Sequence, residues 1–459
     1  MYDAYYFRQT QTATVAKNYV TNGINLLRSE LDIFGIGKEK YLIMESPLYQ
    51  ATVAILAGTF GYSEMLARLI SIAAGLISAI CLYYIVNQLA KDKTLALLSV
   101  TFFLFFPINI FFQRTVLIES FVVMLHLLAL ALWLKLLDRQ AIWLFILTLI
   151  VTILAAIGKI IYGPFLLLFM LVLGYFKFGK QIWRQSWLWL FFLSAGVGMW
   201  FWQTTANRLN ILSGHGFFTS ENPEHWIWNV GYFSERLKLK AWILRFNDIL
   251  GGITKPGALA VFIGSLFILF NKSKKYYPWL IWVGIMLVYY VLFFRIQSHI
   301  YYFLIVTPSL AVLAAYGVWE GFKLSKKYFN RKIALVGVFL FMLAFLYKGS
   351  KNAQGYFVLH TDVQEKIELL NHELTEPGPV VFIFPQWDWN SVYTYYTGRK
   401  GIVLDFKNLD QLSQFRAQGY KYAVFIDFNP DEIGKDLFKQ YKLTETFRSE
   451  MMIVSELQK

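Results

Sequence analysis

About ten apolar runs long enough to cross a bilayer dominate this chain, and no other feature restricts its fold so tightly. A membrane-crossing helix needs roughly 17 to 25 predominantly apolar residues, and all its backbone hydrogen bonds must be made within the segment. Runs of this kind lie near 64–87, 94–112, 115–134, 140–157, 160–176, 186–203, 253–271, 277–295, 300–320 and 332–348. Composition agrees, since 57% hydrophobic and 16% charged residues is too apolar a balance for an ordinary soluble protein. The fold class expected is an α-helical polytopic membrane protein.

A formal net charge of +14 could point to nucleic acid, but the positions of the basic residues argue otherwise. Lys91 and Lys93, Lys135 and Arg139, and Lys177, Lys180 and Arg184 fall in alternate short loops. Lys272, Lys274 and Lys275, then Lys323, Lys326, Lys327, Arg331 and Lys332, continue the series. The opposite short loops hold little beyond Arg114, Lys159 and Arg295. By the positive-inside rule the first set is cytoplasmic. Residues 1–63, the 204–252 loop and the C-terminal tail are then expected outside, in a multi-pass protein of the inner or plasma membrane. Membrane lipids are expected partners, and nucleic acid is not. An outward N-terminal stretch of about sixty residues with no span ahead of it implies either translocation of that stretch driven by the first span or, as the sharper expectation, a further transmembrane helix upstream of Met1. The single cysteine, Cys81, lies in an apolar run and excludes a disulfide framework.

Beyond residue 348 the composition turns polar. The short β-rich runs Val380–Phe384, Ile402–Leu404 and Tyr422–Ile426 alternate with helix-like stretches at 408–418 and 430–441. That alternation predicts a small α/β domain with an at least partly parallel sheet. The expected organisation is a transmembrane domain, 1–348, followed by an extracytoplasmic α/β domain, 349–459.

The outward face collects the polar groups that need explaining: Asp3, Glu45, Arg114, Glu119, Lys159, Arg295 and His299. Ionisable groups at membrane depth are costly and by default mark a functional cavity. Plainer readings stand beside that one. Lys159 could snorkel to the interface, Arg114 and Glu119 could form a structural pair, and Asp3 could be a solvated charge. Arg295 and His299, one turn apart on a helix, could cap a span. The 204–252 loop holds His215, Glu221, Glu224 and His225, whose spacing matches no firm ligand pattern. No metal ligand or cofactor is assigned, and a divalent metal stays open. Trp226, Trp228, Tyr232, Arg236 and Lys240 suit a helix lying on headgroups.

Taken together, these groups resemble a family. The order Tyr2-Asp3-Ala4, Glu45-Ser-Pro-Leu-Tyr49, Gly61…Ala67-Arg-Leu69, Arg114…Glu119, Gly158-Lys-Ile-Ile-Tyr-Gly-Pro164 and His299-Ile-Tyr-Tyr302…Pro308 is similar to the PMT-type branch of the GT-C membrane glycosyltransferases. That branch includes protein O-mannosyltransferases and lipid A aminoarabinose transferases. The resemblance spans roughly residues 1–320. It implies a GT-C-like bundle and a sugar donor on a polyprenyl phosphate. It also implies a lipid, glycan or protein acceptor and inverting displacement at the extracytoplasmic face. On that basis Asp3 and Glu45 are the catalytic candidates, and Lys159, Arg295, His299 and Arg114 the donor-phosphate candidates. Glu119, Tyr301 and Tyr302 are structural or acceptor-positioning candidates. Ala4 stands where the family carries a second acid, and the Glu45 motif has one proline. A transporter or flippase of a lipid-linked saccharide is the rival reading; it calls for repeats and mid-membrane ionisable groups, and the charges here cluster at one face.

Overall fold

The computed structural model describes residues 1–33, 38–270, 276–386, 390–428 and 433–458. Lys272, Lys274, Lys275 and the start of the 430–441 stretch lie outside the described residues. Along the chain run α1 (Tyr6–Asn22), α2 (Leu48–Phe60), α3 (Glu64–Ala90), α4 (Lys93–Phe105), α5 (Pro107–Phe112), α6 (Glu119–Arg139), α7 (Ile142–Gly158), α8 (Gly163–Phe178) and α9 (Ser186–Leu212). They are followed by α10 (Pro223–Val230), α11 (Phe233–Arg236), α12 (Leu239–Ile253), α13 (Lys255–Phe270), α14 (Tyr277–Leu292), α15 (Thr307–Ser325), α16 (Arg331–Gln354) and α17 (Thr361–Glu373). The last part holds β1 (Val380–Phe384), α18 (Val392–Thr397), β2 (Gly401–Asp405), α19 (Leu412–Ala417), β3 (Tyr422–Ile426), α20 (Lys435–Tyr441), β4 (Leu443–Arg448) and β5 (Met452–Leu457).

Each expected span falls on a helix, but the helices are of unequal reach. Among the described residues five runs are long and apolar enough to cross a membrane: Glu64–Ala90, Glu119–Arg139, Ile160–Arg184, Ile300–Ser325 and Arg331–Glu373. A sixth arises if α12 and α13, bent by 99°, count as one. Helices α4, α7 and α14 have 13, 17 and 16 residues. At ~1.5 Å rise per residue they extend about 20 to 25 Å. The 94–112 run is broken because Pro107 cannot donate the next helical bond, and Phe106 before it turns extended at ψ 130.

The chain divides into two compact units, one of Met1–Leu66, Arg208–Gly216 and Val358–Lys459, the other of Ala67–Asn207 and Phe217–Phe357.

In the second unit, polar side chains fasten apolar helices at a few points. Asp92 caps α4 by accepting from the Thr94 and Leu95 amides at 3.0 Å, and its other oxygen accepts from Trp319 Nε1 on α15 at 2.8 Å. Trp133 on α6, fully buried, donates to the Met170 carbonyl on α8 at 2.8 Å. Where α13 meets α15 the backbones touch: a Cβ on Gly264 would lie 2.0 Å from the Leu313 carbonyl oxygen, and one on Gly317 2.2 Å from that of Ala260. Such small-residue seams suit apolar helices, which associate by close packing rather than by excluding water.

In the first unit the sheet order is β2-β1-β3-β5-β4. Strand β1 pairs parallel with β2 and β3, whereas β5 pairs antiparallel with β3 and β4. Val381, Ile383, Leu412, Phe415 and Phe425 fill one core of this sheet. The parallel part matches the three β-rich runs of the sequence; β4 and β5 were not foreseen. The unit also contains the first sixty-six residues, which the sequence reading grouped with the transmembrane domain. Helix α1 packs on α2 and α18, with Thr10 Oγ1 3.1 Å from Ser391 Oγ, and the Val403 amide on the edge strand donates to the Ile33 carbonyl at 3.1 Å.

Candidate active site

In the first unit the turn before α1 sets the geometry of Asp3. Tyr5 adopts a left-handed conformation at φ 60, and the Tyr6 amide closes back onto the Asp3 carbonyl at 3.1 Å. The Asp3 carboxylate is only 4% exposed. Its Oδ1 accepts from Gln9 Nε2 at 2.7 Å, and the same amide donates to the Ala4 carbonyl at 3.1 Å. Ala4, where the family resemblance leads one to expect a second acid, contributes through its backbone. Glu45 sits just before α2, half-buried, and accepts from Arg8 Nη2; Arg8 Nη1 donates to Gln11 Oε1 at 2.9 Å. Arg8 and Gln9, neighbours on the first turns of α1, each hold one of the two candidate carboxylates. Both follow closely on Tyr2-Asp3-Ala4 but were not singled out in the sequence.

Helix α1 is itself held in place. The Tyr62 hydroxyl donates to the Ala13 carbonyl at 3.1 Å and meets the Tyr395 hydroxyl at 3.1 Å. Burial pushes the Tyr62 phenol up to about 12, with the Tyr395 hydrogen bond opposing and Glu64 adding to the rise.

In the second unit Lys159, 5% exposed, lies between α7 and α8 in extended backbone at φ −156. Its Nζ donates to Glu119 Oε1 at 2.5 Å from the start of α6. Three tyrosine rings surround the ammonium, Tyr302 at 3.8 Å, Tyr301 at 5.3 Å and Tyr162 at 5.6 Å. Ring faces attract a cation most strongly where water is excluded. Glu119 is 2% exposed, and its second oxygen has no hydrogen-bond partner among the described residues. Lys159, Glu119, Tyr301 and Tyr302 are therefore one cluster, and Tyr162 joins it unforeseen.

The other basic candidates are placed differently. His299 stacks on Tyr301 at 5.5 Å and 16°. It does not share a helix with Arg295. Helix α14 stops at Leu292, and Arg295 precedes a short 3-10 turn, Ile296–Ser298, while His299 is extended at ψ 102. Arg295 is exposed and its guanidinium lies over Trp228 at 5.9 Å. Arg114 is half-buried over the Phe357 ring at 4.1 Å and the Phe111 ring at 5.3 Å.

Beside this cluster an apolar cleft of about 420 Å³ is lined by His126, Tyr162, Phe169, Trp282, Met286 and Tyr289 among others. His126 Nδ1 is 2.8 Å from the Val122 carbonyl, and its Nε2 has no hydrogen-bond partner among the described residues.

The histidines of the 204–252 loop are engaged elsewhere. His215 Nε2 is 2.9 Å from the Glu39 carbonyl, and His225 Nδ1 is 3.2 Å from that of Thr219. Among the described residues no three or more His, Cys, Asp or Glu side chains gather into a metal-holding group.

Residues 5–229 match the family model described as dolichyl-phosphate-mannose-protein mannosyltransferase, PMT. No curated protein matches the chain by sequence. Among solved structures, ArnT from Cupriavidus metallidurans bound to undecaprenyl phosphate is similar at 14% identity and a TM-score of 0.66, over 98% of this chain and 93% of that one. The archaeal oligosaccharyltransferase AglB from Archaeoglobus fulgidus, in complex with an inhibitory peptide and a dolichol-phosphate, is similar at 14% identity and a TM-score of 0.57, over 91% of this chain and 65% of that one. At such identity these likenesses establish the fold. The chain is thus similar to the PMT family over residues 5–229, and along nearly its whole length it shares the fold of these glycosyl-transferring enzymes.

Proposed function

We propose that the protein moves a sugar from a polyprenyl-phosphate donor to an acceptor hydroxyl or amine at the extracytoplasmic face of the membrane. The observation that carries this reading is the Lys159–Glu119 pair inside its tyrosine cage, a buried cation already oriented before any substrate arrives. The undecaprenyl phosphate bound to that ArnT and the dolichol-phosphate in complex with that AglB support it.

In this reaction the acceptor heteroatom bonds to the anomeric carbon while that carbon's bond to the phosphate oxygen breaks. The electron pair leaves with the polyprenyl phosphate, and the sugar carbon inverts. Lys159, with Arg295, His299 and Arg114, meets the charge on the leaving phosphate. Preorganised cations act most strongly in a water-poor site. The Asp3 carboxylate takes the acceptor proton, and a buried carboxylate is suited to general base catalysis. Glu45 orients the acceptor. Glu119, Tyr301 and Tyr302 hold Lys159 in place. The aromatic cleft beside Tyr162 has the apolar lining that an isoprenoid tail requires.

The test is transfer from a panel of radiolabelled polyprenyl-phosphate sugars to host membranes by purified protein in lipid, with Asp3→Asn alongside. Label should reach acceptor with the wild type only, while the variant still binds donor. Equal turnover by Asp3→Asn would refute the base assignment. Donor crossing between leaflets without transfer would favour a flippase.

A further inference from the structure

Asn210, on the last turn of α9, is fully buried and does not face lipid or solvent. Its Nδ2 donates to the Ile43 carbonyl at 2.7 Å, and its Oδ1 accepts from the Ile43 amide at 2.9 Å. One side chain thus gives Ile43 both bonds that a neighbouring strand would supply. Only a group that donates and accepts side by side can do this. The adjoining residues extend the clasp: the Glu39 amide donates to the Ser213 carbonyl at 2.9 Å, and His215 Nε2 is 2.9 Å from the Glu39 carbonyl. The other edge of the same segment is fixed by the Leu42 amide on the Ser29 carbonyl at 3.1 Å and the Leu31 amide on the Lys40 carbonyl at 2.7 Å. Two residues past Ile43 comes Glu45, which accepts from Arg8.

We propose that Asn210 is a positioning residue, whose paired hydrogen bonds to Ile43 hold Glu45 at the angle needed to orient the acceptor. This rests on the role given to Glu45 above. Without the amide, the segment keeps the Arg8 contact at one end but loses its anchor two residues away. Buried backbone groups that lose a partner are costly to leave unpaired. Acceptor orientation should suffer, and donor binding should not.

The chemistry of the clasp supplies its own test. A protonated carboxyl, like an amide, donates from one atom and accepts at the other; an ionised one only accepts. Asn210→Asp should therefore be impaired when its new carboxyl is charged and recover as that carboxyl protonates. His215, Glu39 and Lys38 also carry ionisable side chains at this clasp, so the quantity to read is the ratio of variant to wild-type transfer at each pH. That ratio should rise by about tenfold or more as pH falls, matching the loss of one buried hydrogen bond. Asn210→Ala should lose transfer at every pH with donor binding unchanged.

Amide exchange over residues 39–45 provides a readout that needs no activity. It should quicken in Asn210→Ala and in charged Asn210→Asp, and return to the wild-type rate in the latter on acidification. Unchanged exchange in both variants would overturn the clasp. Faster exchange with wild-type transfer, or an Asn210→Asp ratio flat with pH, would overturn the positioning role. If the wild type transfers no sugar, the exchange arm still decides the clasp, and the failure belongs to the proposed function.

Discussion

Lys159 Nζ lies 2.5 Å from Glu119 Oε1, and the two side chains are 6% and 2% exposed. Breaking such a pair costs about 3–5 kcal/mol, since the survivor is left as an unpaired buried charge. The two survivors are not equivalent. Glu119→Gln leaves an ammonium still against the Tyr302 ring at 3.8 Å, whereas Lys159→Met leaves a carboxylate whose second oxygen already has no hydrogen-bond partner among the described residues. Lys159→Met should lower the thermal midpoint in detergent more than Glu119→Gln, and the double variant should lose less than the sum of the two, since it strands neither charge. Additive losses would show that the pair is not coupled.

Arg8 divides its guanidinium between two partners, Nη2 to Glu45 and Nη1 to Gln11. A lysine is a single-point cation and cannot keep both bonds in one fixed fork. In the transfer assay Arg8→Lys should lose about tenfold or more at unchanged net charge. A smaller loss is expected for Gln11→Ala, which leaves the Glu45 bond in place. Arg8→Lys turning over at the wild-type rate would show that charge alone suffices at Glu45.

The helices were legible in the sequence because a bilayer demands long apolar runs, and the charged candidates stood out against those runs because ionisable groups are costly at membrane depth. Length was less legible. The 94–112 run reads as one span, yet Pro107 divides it. Strands β4 and β5 went unseen because Leu443–Arg448 is largely exposed and polar, and its pairing with Met452–Leu457 supplies the order that its composition does not. Tyr162 lies within the Gly158–Pro164 run, but nothing there marks it as a partner of Lys159, and Arg8 and Asn210 carried no local signal. Arg8 meets Glu45 across 37 positions and Asn210 meets Ile43 across 167, so their roles exist only once the chain has folded. Arg295 and His299 were misread as helical neighbours, since nothing in the four-residue spacing shows that α14 has already ended.

Acidification should loosen the segment 39–43 through His215. Burial, with Lys38 adding to it, lowers the His215 pKa below its ordinary 6.5, and the Glu39 carbonyl only partly offsets this. The unfolded chain then binds the proton more readily than the folded one. Stability is therefore full above about 6.5 and is lost as pH falls through the folded value. Thermal unfolding of wild type against His215→Gln, from pH 7.5 to 5, should show a steeper decline for the wild type. Parallel declines would mean that other groups set the slope.

The α13–α15 seam should tolerate no side chain. A Cβ on Gly264 would lie 2.0 Å from the Leu313 carbonyl oxygen, and the clash is with backbone, which cannot rotate away. Gly317 faces the Ala260 carbonyl at 2.2 Å in the same way. Gly284 on α14 meets nothing within 4 Å and serves as the control. Gly264→Ala and Gly317→Ala should each lower the thermal midpoint and the yield of monodisperse protein, because the helices must separate along their closest contact. Gly284→Ala should match or exceed the wild type, since alanine is favoured over glycine within a helix by up to about 1 kcal/mol. A Gly264→Ala protein as stable as the control would show that α13 and α15 do not need this close approach.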